Sequence, residues 1–146
     1  MTTKGYKFVD HTADIEFLAF GSTIENSFKN SLMALFDTIA DTKRLSRSKS
    51  KALVIKLKEK ADTVENLLWY TLQDALSVLD AKKLFAYKVT ELSIRNAKSS
   101  FILSVKLHAK SQQIDLAKME VKGVSPYNLK IKKKGNGFSI SAVLDV

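Results

Sequence analysis

The run Leu53-Val54-Ile55-Lys56-Leu57-Lys58, followed five positions later by Thr63-Val64-Glu65-Asn66-Leu67-Leu68-Trp69-Tyr70, changes its apolar period in the middle. Leu53, Ile55 and Leu57 alternate with Val54, Lys56 and Lys58, the period-two pattern of a strand with one wetter face. Val64, Leu67, Leu68, Leu72, Ala75, Leu76 and Leu79 then recur at helical spacing to about residue 81, behind a Thr63 able to cap the helix. A strand thus hands over directly to an amphipathic helix.

Upstream, the same unit occurs once more. Tyr6 to Phe20 mixes aromatic and β-branched residues, and reads as one strand, or two short ones, around a polar centre. Gly21-Ser22-Thr23 punctuates it, and Ser22 with Glu25 has the spacing of a capping box. Ile24, Phe28, Leu32, Leu35, Phe36 and Ile39 give one apolar stripe, so the spacing predicts a helix over about 23–40. Thr42 to Lys51 is expected to be a basic loop.

Downstream the chain is strand-like. Phe85–Arg95 and Ser100–Lys110 flank Asn96-Ala97-Lys98-Ser99, a hairpin pattern. Met119–Val124 and Leu129–Lys133 form a third region, broken at Pro126. Gly135-Asn136-Gly137 is a tight-turn signal, because Asn and Gly tolerate positive φ, and it leads into the alternating run Phe138–Val143. This order gives an α+β fold: a mostly antiparallel β-sheet system with two helices packed on it.

Residues 1–146 are expected to form a single domain, since domains commonly run about 100–200 residues. There is no cysteine, which excludes disulfides, thiol nucleophiles and Cys-ligated zinc. The N-terminus lacks the charged-then-apolar pattern of a secretion signal, and no apolar run approaches the ~20 residues a bilayer span needs. A cytoplasmic protein without membrane contact is the expectation.

The net charge of +9 is unevenly placed. Residues 1–41 carry three lysines and six acids, whereas residues 42–146 carry 21 basic and nine acidic side chains. Between 43 and 60 lie eight Lys or Arg, opposed only by Glu59. A field of this kind attracts nucleic acid or an acidic protein surface. The plainer alternative is a solvated loop and a strand edge protected by lysines. Lys130, Lys132, Lys133 and Lys134 make a second basic segment, without interleaved aromatics for base stacking.

With two histidines, His11 and His108, a His-rich metal site is excluded, and neither a Gly-rich phosphate loop nor a Gly-x-Ser-x-Gly elbow occurs. Two features break the pattern. Asp10-His11-Thr12-Ala13-Asp14 interrupts a core-forming segment with groups that need partners, though a turn with local hydrogen bonds would satisfy them. The final alternating strand delivers Asp145 beside the terminal carboxylate of Val146, an oxygen-rich trap for a hard cation if a third carboxylate approaches.

Phe8-Val9-Asp10-His11-Thr12-Ala13-Asp14-Ile15 resembles the opening signature of archease proteins. The helix from Thr23 to Asp41, the helix with Glu65-Asn66-Leu67-Leu68-Trp69 and Asp74, Glu120-Val121-Lys122-Gly123-Val124-Ser125, and the closing Val143-Leu144-Asp145-Val146 resemble that family in order. The resemblance implies a compact α+β domain that is not itself an enzyme. It implies an accessory activator of the GTP-dependent RNA-splicing ligase, which joins 3′-phosphate to 5′-hydroxyl ends in tRNA splicing and RNA repair. Archeases promote guanylylation and turnover of that ligase. The resemblance further implies a divalent metal site, usually calcium, made by Asp14, Asp145 and the terminal oxygens of Val146. Lys122 becomes a candidate for action on the ligase, and Asp74 for a share in either role. This chain departs from the family pattern at Val124-Ser125-Pro126-Tyr127, which lacks the family's histidine, and at Gly123, where the family has alanine.

Two other functions compete. One is a basic RNA-binding or chaperone-like module, making direct RNA contact through Lys43–Lys60 or Lys130–Lys134. The other is a small hydrolase using Asp10, His11 and Asp14, for which no nucleophile can be named.

Overall fold

The computed structural model describes residues 5–9 and 14–146. Asp10, His11 and the rest of 10–13 lie outside the described residues. The architecture is α+β with antiparallel sheets, as the patterning predicts.

The opening segment gives two strands, β1 (Tyr6–Val9) and β2 (Ile15–Gly21). Helix α1 (Ile24–Ile39) follows, capped by Thr23, whose hydroxyl accepts from the Asn26 amide. The cap is therefore one residue later than a Ser22–Glu25 box; Ser22 instead accepts from the Asn26 side chain.

Thr42–Lys51 is not simply a loop. Its first part, Thr42–Arg47, forms helix α2, with Asp41 accepting from the Arg44 amide and Leu45 driven into a small cluster with Ala40, Phe85 and Leu116. A six-residue helix has no periodicity to read; tertiary burial of Leu45 makes it. Asp37 of α1 accepts hydrogen bonds from the Tyr6 and Thr42 hydroxyls, joining β1, α1 and α2. Burial first, then that hydrogen bond and the Asp37 charge, push the Tyr6 phenol above its ordinary range.

Next come β3 (Leu53–Ala61) and α3 (Val64–Ala81), the latter capped by Thr63 as expected. The hairpin β4 (Leu84–Ala97) and β5 (Ser100–Ser111) turns at Lys98, whose φ is 56°. Met119–Val124 supplies only a two-residue strand, β6 (Gly123–Val124), after a 3-10 turn at Ile114–Leu116. Strands β7 (Lys130–Lys134) and β8 (Gly137–Asp145) close on Gly135, where φ is +60°, a conformation open to glycine.

Two sheets result. One runs β1-β2-β8-β6, with β7 also on β8; the other is β3-β5-β4. Helices α1 and α3 pack against both sheets. Hence α1 buries residues on several sides, among them Phe28, Leu32, Leu35 and Phe36, and one core joins Phe17, Leu67, Leu72, Leu107 and Ile140. Among the described residues no helix is long and apolar enough to cross a membrane.

Candidate functional site

Strands β2 and β8 run antiparallel, with Ile15 opposite Leu144. That register ends one step short of Asp14, in the bend before β2, and of Asp145, the last residue of β8; continued by that step it would set the two across from each other. Leu144 is fully buried, so the parity of the strand turns Asp145 to the other face, where it is exposed.

On its opposite side Asp145 pairs with Gly123 of β6, and its carbonyl accepts from the Lys122 amide at 2.8 Å. A Cβ at position 123 would meet Gln73 Oε1 at 3.6 Å and Asp145 Oδ2 at 3.9 Å. An amide oxygen from α3 and the Asp145 carboxylate therefore converge over Gly123. Those are ordinary contact distances, so the alanine expected from the family pattern would also fit.

Helix α3 grips β6 by both of its polar groups. The Val124 amide donates to Gln73 Oε1 at 2.9 Å, and Trp69 Nε1 donates to the Val124 carbonyl at 2.8 Å. Val146 is half-buried and packs on the core, which fixes the backbone beyond Asp145.

Asp14 and Asp145 thus flank the last β2–β8 pair, Val146 follows Asp145, and the exposed Lys122 is tied to Asp145 through its backbone. Asp74 has a different neighbour, Glu59 of β3. Burial chiefly, then the neighbouring Asp74 carboxylate, push the Glu59 carboxyl up to about 8, so Glu59 keeps its proton at neutral pH. Glu59 had a sequence signal, because it falls on the inward parity of Ile55 and Leu57. Gln73 had none; a polar residue on an amphipathic helix reads as solvated.

Among the described residues no three His, Cys, Asp or Glu side chains converge as a metal cluster. A cation at this corner would lean on two carboxylates plus amide and backbone oxygens, a donor set suited to a hard ion. A cavity of about 410 Å³ lies elsewhere, under residues 117–121 between the C-terminal ends of α1 and α3. Its walls include Phe36, Leu76, Leu79 and Phe85, and none of the five candidate residues lines it.

A model of the Archease protein family matches residues 6–146. The chain belongs to the archease family. It is similar to protein archease of Methanosarcina barkeri, with 29% identity covering 98% of this chain and 97% of the relative. It is likewise similar to protein archease of Archaeoglobus fulgidus, with 26% identity covering 97% and 98%. The solution structure of Methanobacterium thermoautotrophicum protein 1598 has the same fold, with a TM-score of 0.82 at 22% identity over 99% of this chain and all of that one. A Thermotoga maritima crystal structure, described as an archease and possible chaperone, superimposes with a TM-score of 0.59 at 16% identity, covering 96% of each chain.

Proposed function

We propose that this archease acts as an accessory activator of a GTP-dependent ligase that joins RNA 3′-phosphate ends to 5′-hydroxyl ends in tRNA splicing and RNA repair. It promotes ligase guanylylation and turnover and does not catalyse the joining. Family membership supports the reading, and the single structural observation behind it is the antiparallel β2–β8 register, whose last pair, Ile15 with Leu144, is flanked by Asp14 and Asp145.

Two carboxylates directly opposite on adjacent strands repel each other. A divalent cation, calcium by the chemistry of the donors, offsets that repulsion when bound and supplies positive charge at the corner. Asp14, Asp145 and a backbone oxygen of Val146 would hold it, with Gln73 Oε1 close by. Lys122 keeps its side chain exposed beside these groups, where its ammonium can meet a phosphate of the ligase-bound nucleotide. Asp74 stands beside Glu59, where its charge bears on that carboxyl.

The test is transfer of labelled GMP from GTP to purified ligase, with this protein at substoichiometric amounts. Wild-type protein raises labelling and multiple turnover, while Asp14→Ala and Asp145→Ala lose the stimulation and keep the circular dichroism of the fold. Absence of stimulation by wild-type protein overturns the activator reading. Full stimulation by both variants removes the metal corner from it.

A further inference from the structure

The sheet β3-β5-β4 has two faces. Leu103, Val105, Leu107 and Ala109 of β5 point into the core. Ile102, Ser104, Lys106 and His108 therefore point outwards, and cross-strand register assigns their neighbours. Lys60 and Arg95 flank Ile102; Lys58 and Ser93 flank Ser104; Lys56 and Thr90 flank Lys106; Val54 and Lys88 flank His108. Helix α2 covers the next step, Phe85 and Lys110, and the helices α1 and α3 lie on the other face. The remaining rows are open to solvent.

This face carries Lys56, Lys58, Lys60, Lys88, Arg95 and Lys106, six cations drawn from all three strands. Lys106 sits opposite Lys56, a like-charge pair that works against the sheet. Glu91 is the one acid among them. It occupies a β-bulge with φ 53° and reaches Lys106 at 2.8 Å. The hydrogen bond and charge of Lys106, with smaller contributions from Lys56 and His108, hold the Glu91 carboxyl below its usual range. Lysines that merely protect an edge belong on β3 or β4; Lys106 is on the central strand, where it guards no edge.

We propose that this open face is a docking surface for the phosphate backbone of single-stranded RNA. The choice of RNA over other polyanionic strands rests on the ligase-helper reading; the charge and shape argument does not. Three strands give a platform about 10 Å wide, and Val54 to Lys60 run about 20 Å along it, room for one extended strand. Alternate residues on a strand stand about 7 Å apart, so Lys56, Lys58 and Lys60 form a row fitted to successive phosphates. An acidic protein is the poorer fit, because protein interfaces favour aromatic and Met anchors and disfavour Lys. Aromatic rings are confined to one end of the open rows, where His108 packs edge-on to Tyr87 at 6.5 Å, so most of the track is read through phosphates and not by base stacking, which keeps the contact sequence-tolerant. Glu91 stands in the middle of the track as a built-in weakener, keeping retention loose.

The experiment is fluorescence anisotropy of the full-length protein with a labelled 20-nucleotide single-stranded RNA, without ligase, across a salt series. Binding is expected at low salt, with log K falling against log salt by about 0.7 for each phosphate engaged. Lys56→Glu with Lys58→Glu and Arg95→Glu should weaken binding at least tenfold. The control Lys130→Glu with Lys132→Glu and Lys133→Glu, equal in charge but on β7, should change it less than about threefold. Glu91→Gln should tighten it. Urea unfolding of each variant shows that the fold is kept.

Equal losses in the two triple variants mean attraction by net charge alone and overturn the proposal. So does failure of wild-type protein to bind RNA at low salt. If the sheet-face variant then also loses ligase retention, the surface serves a protein instead. Because RNA binding is read without ligase, its success or failure is separate from that of the activator reading.

Discussion

The corner where β2, β8 and β6 end and the open face of β3-β5-β4 are built in the same way with opposite charge. At the corner Asp14 and Asp145 flank the last β2–β8 pair, Ile15 with Leu144; on the face Lys56 stands across from Lys106. Like charges directly opposite cost a sheet roughly 0.2–1 kcal/mol each, and a fold shaped only for stability would avoid both. The difference is in the counter-charge. The basic pair has Glu91 in direct contact with Lys106 at 2.8 Å, whereas Lys122 joins the acidic corner through its backbone amide, beside Gln73. A face with some internal neutralisation suits loose, salt-sensitive contact with a polyanion. A corner whose carboxylates make no ion pair among the described residues suits a small cation.

Asp145→Ala is the strongest way to break that contrast. It should weaken calcium binding about 100-fold by titration calorimetry, the upper end of what losing even an outer-sphere partner costs. Since Asp145 is exposed, the fold should survive. Calcium affinity unchanged in this variant would place any cation elsewhere.

Lys110 sharpens the basic half. It sits four residues after Lys106 on the same side of β5, yet it is buried, donating to the carbonyls of Leu45, Ser46 and Ser48 at 2.9–3.2 Å, with the Tyr87 ring 5.1 Å away. Lys110→Met should cost about 2 kcal/mol in urea unfolding, because buried carbonyls lose their donor. Lys106→Met, removing a largely exposed ion pair, should stay within about 0.5 kcal/mol. Equal costs would mean that burial does not separate the two lysines.

Glu59 tests whether a second carboxyl pair behaves as the corner does. Its folded pKa, about 8, lies above its unfolded value of about 4.5, so the native state binds more protons between those pH values and loses stability as pH rises through them. Glu59→Gln should remove that loss, raising stability by about 1 kcal/mol at pH 8.5 after allowing for solvent screening, with little change at pH 4. A variant that gains nothing at pH 8.5 would show that Asp74 does not burden the native state. Gly123→Ala is the smallest step, within about 0.5 kcal/mol, since a methyl group there makes only ordinary contacts.

Periodicity reached most of the scaffold. The stripes behind Thr23 and Thr63 placed α1 and α3 to within a residue, and the Gly135-Asn136-Gly137 turn placed β7 and β8. Short elements escaped it. Helix α2 exists because Leu45 finds a pocket beside Phe85, and β6 because α3 holds it through Gln73 and Trp69.

By itself the sequence determined the family, the α+β class and the identity of Asp14, Asp145 and Val146 as residues to watch, because local periods and end motifs are written along the chain. Only the tertiary structure decided which charges face one another. Strand register is a relation between distant segments: it brought the start of β2, next to Asp14, to the end of β8 at Asp145 and gathered lysines from residues 56 to 106 onto one open face. The alternation along each strand could say which residues point the same way, but not what stands opposite them.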